Sequence, residues 1–268
     1  MNWPAAFEKA LDPYELRARL FPGLLVLLPV ILFFALVLGT KNPVVVGLGA
    51  VMSACGGPYF LSSFVRTWGQ RAQDQLYLQW GGQPSTILLR YRDTRLPTPT
   101  KDRYRALAAS KLGMRLASGE DESADPMQAD QASAAAVDVL RPLTNDRKAF
   151  PFVFKELVAY GFNRNAYGTR WVGLGVAGAT VIATLVHAGA LRMTPSILAG
   201  ESLDGAHIAV LLVAIGLSAL WCFHFTAKTV EQAGYSYAKR LLEALEKLPR
   251  KAPPRSAGVG ARSSSASK

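Results

Sequence analysis

The chain has 268 residues, half of them apolar, and a formal net charge of +11. That average suits an ordinary soluble domain, but the distribution excludes one. Apolar residues gather in four runs, Phe21 to Gly39, Pro43 to Val65, Trp171 to Leu191 and Ala206 to Thr226, and none of these contains Asp, Glu, Lys or Arg. About 20 residues are needed to cross the hydrocarbon core of a bilayer, so each run qualifies as a span. The expected fold class is an all-α membrane protein. Two transmembrane helical hairpins, residues 21–65 and 171–226, flank a mainly helical cytoplasmic domain at 66–170.

Basic residues set the orientation, because Lys and Arg beside a span resist translocation. Of the 30, three precede the first run (Lys9, Arg17, Arg19), 16 lie in the insert, nine follow the last run, and each hairpin loop holds one, Lys41 and Arg192. Both termini and the insert are therefore expected in the cytoplasm. The first run lacks a small-residue cleavage signature behind it, which reads as a retained span rather than a signal peptide. Cys55 and Cys222 both fall inside runs and read as small apolar packing residues, with no disulfide or metal framework.

Taken in order, residues 1–20 form an interfacial segment. Asp12 is placed to cap a short helix there, with Pro13 in its first turn. The first span tolerates Pro22 and Pro29 in its early part. The second holds Gly56-Gly57-Pro58 near its middle, where a missing amide hydrogen and two flexible residues weaken the helix. Such a break either exposes carbonyls to an ion or substrate, or makes a kink at a helix contact. Gly56, Gly57 and Pro58 are the candidates for shaping a pore or hinge.

Beyond Val65 the helix is expected to run on through Arg66, Trp68, Arg71 and Gln75, with Trp68 as an interfacial anchor, until Gly81-Gly82-Gln83-Pro84 breaks it. The apolar run Ser85 to Tyr91 fits either a strand or a buried helical turn. Helix starts recur at Thr98-Pro99 and at Asp125-Pro126. Charge is sorted within the insert: residues 84–115 carry eight basic and two acidic side chains, whereas 119–138 carry six acidic and none basic. The two faces attract each other within the domain or between protomers.

An aromatic segment, Phe150 to Gly168, leads into the third span, with Arg164 and Arg170 placed for lipid phosphates. That span has two small-xxx-small pairs, Gly173/Ala177 and Gly175/Ala179, suited to close packing within the chain or against a second copy. His187 and His207 sit at the outer ends of the last two spans, either as interfacial packing residues or as a pair that binds metal or responds to pH. Residues 227–249 read as an amphipathic cytoplasmic helix with Ala238, Leu241, Leu242, Leu245 and Leu248 on one stripe, packing on the insert or between subunits. Residues 250–268 have the composition of a disordered tail.

The sequence holds no phosphate-cradling glycine loop, nucleophile elbow, Cys or His ligand set or acidic nuclease set. The expectation is a protein without catalytic residues, metal or cofactor. Tyr91 and Tyr104 are too sparse among the arginines for a nucleic-acid surface, and an anionic inner leaflet suits that charge better.

Three segments, Asp12-Pro13-Tyr14-Glu15-Leu16-Arg17-Ala18-Arg19, Trp80-Gly81-Gly82-Gln83-Pro84-Ser85-Thr86-Ile87-Leu88-Leu89-Arg90 and Tyr160-Gly161-Phe162-Asn163-Arg164-Asn165, resemble a family of four-span bacterial inner-membrane proteins with no established activity. The resemblance implies the architecture and a multi-pass inner-membrane location, and supplies no site. The layout is also similar to membrane effectors of antiphage defence systems. That likeness implies a cytoplasmic domain that senses a nucleotide signal or protein partner, and spans that disrupt the membrane. The resulting expectation is a non-enzymatic homo-oligomer whose insert senses an anionic ligand through Arg90, Arg92, Arg95, Arg103 and Arg105 and alters permeability. The rivals are a transporter accessory subunit and a scaffold that anchors a cytoplasmic enzyme.

Overall fold

The computed structural model describes residues 12–39, 56–190 and 203–249, with isolated positions 43, 46, 47 and 49. Among the described residues every regular element is helical. In chain order they are α1 (Pro13–Gly39), α2 (Gly57–Trp80), α3 (Pro84–Ile87), α4 (Thr98–Leu107), α5 (Gly119–Ala124), α6 (Pro126–Leu143), α7 (Pro151–His187), α8 (Gly205–His224) and α9 (Ala227–Glu243). Three of these, α1, α7 and α8, are long and apolar enough to cross a membrane. The first half of the expected second span falls largely outside the described residues, as do the hairpin loop at 40–42, most of the loop at 192–205, and the tail.

Asp12 caps α1 as its sequence requires, accepting from the Tyr14 amide at 2.8 Å, and Pro13 fills the first turn. The lead segment is not a separate helix, however. Pro13 to Gly39 is one helix, with π-type turns at Leu16–Leu20 and Phe33–Gly39. Pro29 has no amide hydrogen for the ladder. The second π turn opens four residues later, where the Phe33 amide donates to the Pro29 and Val30 carbonyls.

α2 opens on Gly56, which sits in the left-handed region at φ 71°. It closes at Gly81, with φ 76°. The Gly81 amide donates to Leu78 O and the Gly82 amide to Tyr77 O, the two bonds that satisfy a helix end when a left-handed glycine follows it. The apolar run after this break resolves into the four-residue α3 and two turns, with Ile87, Leu88 and Leu89 all at most 3% exposed. α5 starts with a reciprocal cap between Ser118 and Asp121. α6 starts at Asp125, whose carboxylate accepts from the Met127 and Gln128 amides at 3.1 and 3.0 Å.

One apolar core joins Leu88 and Leu89 to Tyr104 of α4, to Ala108 and Leu112 beyond it, and to Ala136, Val137 and Leu140 of α6. Its remaining wall is Ala238, Leu241, Leu242, Leu245 and Leu248 on α9 and the short 3-10 turn that follows it. The amphipathic stripe therefore packs on the insert, and this core is built from residues on both sides of α7 and α8. α7 is the hub of the molecule, touching α1, α2, α8 and α9. In its apolar half, Gly173 lies directly under the Trp221 indole and Ala177 is fully buried, whereas Gly175 and Gly178 face open space. One of the two small-residue pairs is thus consumed inside the chain.

Leu241 and Leu245 are 0% and 1% exposed. Truncating a buried leucine costs about 2–5 kcal/mol, which approaches the whole stability of a small domain. The L241A/L245A double variant should lose the cooperative melting transition of this core, with tryptic sites at Arg92, Arg95 and Arg103 becoming cleavable. Unchanged protection in detergent would show that α9 is dispensable to this core.

Candidate functional site

The arginine-rich half of the insert meets the acidic half within the same domain. Arg92 donates to Glu122 at 2.9 Å and to Asp130 at 2.7 Å, and Arg90 reaches the other oxygen of Asp130 at 2.7 Å. Arg95 pairs with Asp93 and Glu231 and covers the Tyr235 ring at 4.5 Å. Arg103 pairs with Glu246 beyond α9 at 2.9 Å. Among the described residues Arg105 makes no ion pair. It is 8% exposed, lies 4.2 Å from the centroid of Tyr91 and donates to the carbonyls of Leu89 and Ala117. Lys101, 2% exposed, likewise donates to the Arg90 and Asp93 carbonyls.

These contacts follow from the segment between α3 and α4. It has no helix to absorb its carbonyls, and buried carbonyls need donors. The long cationic side chains of α4 supply them. Arg90 and Arg105 are therefore fold-holding residues, whereas Arg92, Arg95 and Arg103 keep 40%, 48% and 59% of their side chains exposed. Of the five expected ligand contacts, these three offer a guanidinium face to solvent, and an anion there would compete with an internal carboxylate.

Gly56, Gly57 and Pro58 form the start of α2, with Gly56 left-handed and Gly57 buried. Among the described residues, the helix that continues into the insert starts here, so the break expected in the second span is a helix N-terminus.

A third arrangement was not legible in the sequence. Where α2 and α7 cross, a methyl group on Gly168 would lie 2.7 Å from the Trp68 carbonyl oxygen and 2.8 Å from Gly69 Cα, so two backbones are in contact. One turn away, Asn165 is fully buried and donates to Ala18 O of α1 at 2.5 Å. Its own amide oxygen accepts from Arg164 Nε and Nη2 at 3.2 and 3.1 Å. Arg164 is 8% exposed and also donates to Gln73 at 2.8 Å. The expectation that Arg164 contacts lipid phosphates is thus corrected: the guanidinium is turned inward onto amide oxygens. Tyr160 extends the network, donating to Gln73 at 3.1 Å and meeting Tyr77 at 3.0 Å. Chemically this is a polar clamp of neutral acceptors around one buried cation, holding α1, α2 and α7 together.

At the opposite end, His187 Nδ1 and His207 Nε2 are 3.0 Å apart, and His207 Nδ1 is 2.7 Å from Asp204. With Asp204 accepting from His207 Nδ1–H, His207 Nε2 becomes the acceptor for His187 Nδ1–H. The pair latches α7 to α8. Cys222, expected as a packing residue, is instead exposed on the outside of α8; Cys55 lies outside the described residues. Compared with known protein families, with curated proteins and with solved structures, the chain gives no match.

Two outcomes follow from these sites. Gly168→Ala forces the α2 and α7 backbones apart and should cost about 1–3 kcal/mol. Gly175→Ala, which meets nothing within 4 Å, should be close to neutral. Thermal unfolding of both variants in detergent checks the contrast. For Glu122, burial opposes ionisation, but the Tyr91 and Arg92 amides and the Arg92 guanidinium outweigh it and hold the carboxyl below its ordinary value. A lowered carboxylate stabilises the fold above its unfolded pKa, and that stabilisation is lost as the pH falls through the folded value. Glu122→Gln should therefore lower Tm at neutral pH, and the gap to the native chain should close as the pH is brought from about 6 to about 3.

Proposed function

We propose that this chain is a non-enzymatic inner-membrane protein with four spans, both termini and the middle domain being cytoplasmic. Its domain senses an anionic ligand or protein partner and alters the permeability of the membrane, as an antiphage effector does. The observation that carries this reading is α7, an unbroken helix of 37 residues that begins in the cytoplasmic domain and ends at the outer histidine latch. At 1.5 Å per residue it is about 55 Å long, so a displacement of its soluble end is delivered to its apolar end without a flexible joint. α2 supports the same coupling, since it leaves the Gly56-Gly57-Pro58 break and runs as one helix to Leu76, which packs with Tyr160 of α7 and Val230 of α9. The exposed Gly175/Ala179 pair supports assembly of several copies through α7.

A second reading is a scaffold or transporter accessory that anchors a cytoplasmic protein. What favours it is the exposure of Leu78 at 84%, Met127 at 70% and Phe152 at 62%, apolar side chains without cover on the soluble domain.

Membrane potential separates the two. Overproduced native protein should depolarise cells, and the G57A/P58L double variant, inserted at equal level, should not. Potential that stays unchanged in every condition, phage infection included, excludes the permeability reading and leaves the scaffold. Reporters active in one compartment only, fused to each terminus and within the insert, test the orientation.

A further inference from the structure

Outside the polar clamp, the α2–α7 crossing opens into a groove lined by Trp68, Arg71, Gln75, Tyr167, Arg170 and Trp171. Its depth in the molecule is fixed by chain direction. α2 leaves the apolar stretch at Val65 and α7 enters it at Trp171, so the groove lies where both helices change from polar to apolar. One lip is apolar and outward: Trp171 is 71% exposed, and Phe64, next to Trp68 with ring centroids 6.5 Å apart, is 61% exposed. The other lip is cationic and holds no carboxylate.

Arg90, Arg92, Arg95 and Arg103 all have acidic partners, yet among the described residues neither Arg71 nor Arg170 forms an ion pair. Arg170 is held by rings instead, its guanidinium 4.0 Å from the Tyr167 centroid and 5.0 Å from that of Trp171. Stacking positions a guanidinium while leaving its five N–H donors free, the state suited to bidentate contact with a phosphate. A pair of free cations beside exposed tryptophans, at the boundary of an apolar band, matches an amphipathic anion with its tails to one side.

We propose that this groove binds the headgroup of an anionic phospholipid of the cytoplasmic leaflet, with Arg71 and Arg170 donating to its phosphate and Trp68 and Trp171 flanking the start of its acyl chains. Binding there braces α2 against α7 at the point where the soluble domain joins the spans, so lipid composition would tune the coupling between them. The choice of leaflet rests on the orientation proposed above; the groove itself does not.

The test uses the full chain in a neutral detergent, with phosphatidylglycerol, phosphatidylcholine or inorganic phosphate added, read by thermal shift and by the lipid retained in native mass spectrometry. Phosphatidylglycerol should raise Tm and be retained, and the R71Q/R170Q variant should weaken this roughly tenfold or more while keeping its lipid-free Tm. The R115Q/K155Q variant, which removes two exposed cations elsewhere, should respond as the native chain does. An equal response in R71Q/R170Q, an equal loss in R115Q/K155Q, or an equal shift with phosphatidylcholine or with inorganic phosphate would overturn the site. Because no step uses orientation, such a result leaves the topology standing, while misplaced compartment reporters would overturn the leaflet and not the groove.

Discussion

Everything in this molecule is arranged around the place where α2 and α7 touch backbone to backbone. Two helices approach that closely only where side chains are absent, and Gly69 and Gly168 supply the absence. Dispersion between the bare backbones falls off steeply with distance, so the contact is sensitive to a single methyl group. Asn165 then fixes the third helix, because its buried amide has one acceptor within reach, the Ala18 carbonyl of α1. Left without that partner, a buried amide costs about 1–3 kcal/mol, a large fraction of a domain's stability.

The buried Arg164 belongs to the same constraint. A guanidinium taken out of water without a carboxylate is expensive, and the chain meets that cost with amide oxygens from Gln73 and Asn165 and with the face of Tyr160 at 5.9 Å. Neutral acceptors have a consequence a salt bridge would lack. They orient the cation without neutralising it, so the junction retains a positive charge close to the apolar band. The same economy recurs in the insert, where Lys101 and Arg105 are spent on backbone carbonyls of a non-helical segment. Part of the chain's positive charge is therefore structural, and the arginine-rich appearance of residues 84–115 overstates what is offered to a ligand.

Local signals in the sequence were reliable because the physics behind them is local. Asp12 and Asp125 cap helices through bonds two or three residues away, Gly81 ends α2 with bonds three and five residues back, and the leucines of α9 repeat with the helical period. The charge sorting was also legible, and its two open outcomes were settled by proximity: Glu122 and Asp130 reach Arg92 across the same domain. What stayed illegible joins residues far apart in the chain. Gly69 and Gly168 have no mark that distinguishes them from Gly175 or Gly178, which face open space. Arg164 and Arg170 looked alike as juxtamembrane cations, yet six positions on α7 are about 1.7 turns and set them on different faces, about 120° apart, and Gln73 waits opposite only one of them.

The placement of α9 carries the argument furthest. A helix that follows α8 has completed a core begun before α7, so that core cannot close until α7 and α8 are both in position. The long apolar helices in turn cannot pack freely, because α7 is held at its N-terminal half by the core and the polar clamp and at its C-terminal end by the His187–His207 contact. Domain and spans are thus one mechanical unit sharing a single long helix. In such a unit, a displacement of the Pro151 end of α7 meets no loop before His187 in which to dissipate. It must be absorbed either by bending that helix or by moving its partners α1, α2 and α8. Of these partners, α1 carries π-type turns at Leu16–Leu20 and Phe33–Gly39, and α8 carries one at Leu220–His224. Wider turns give a helix ladder local slack. α7 has none, which makes it the stiff member and α1 and α8 the members that yield.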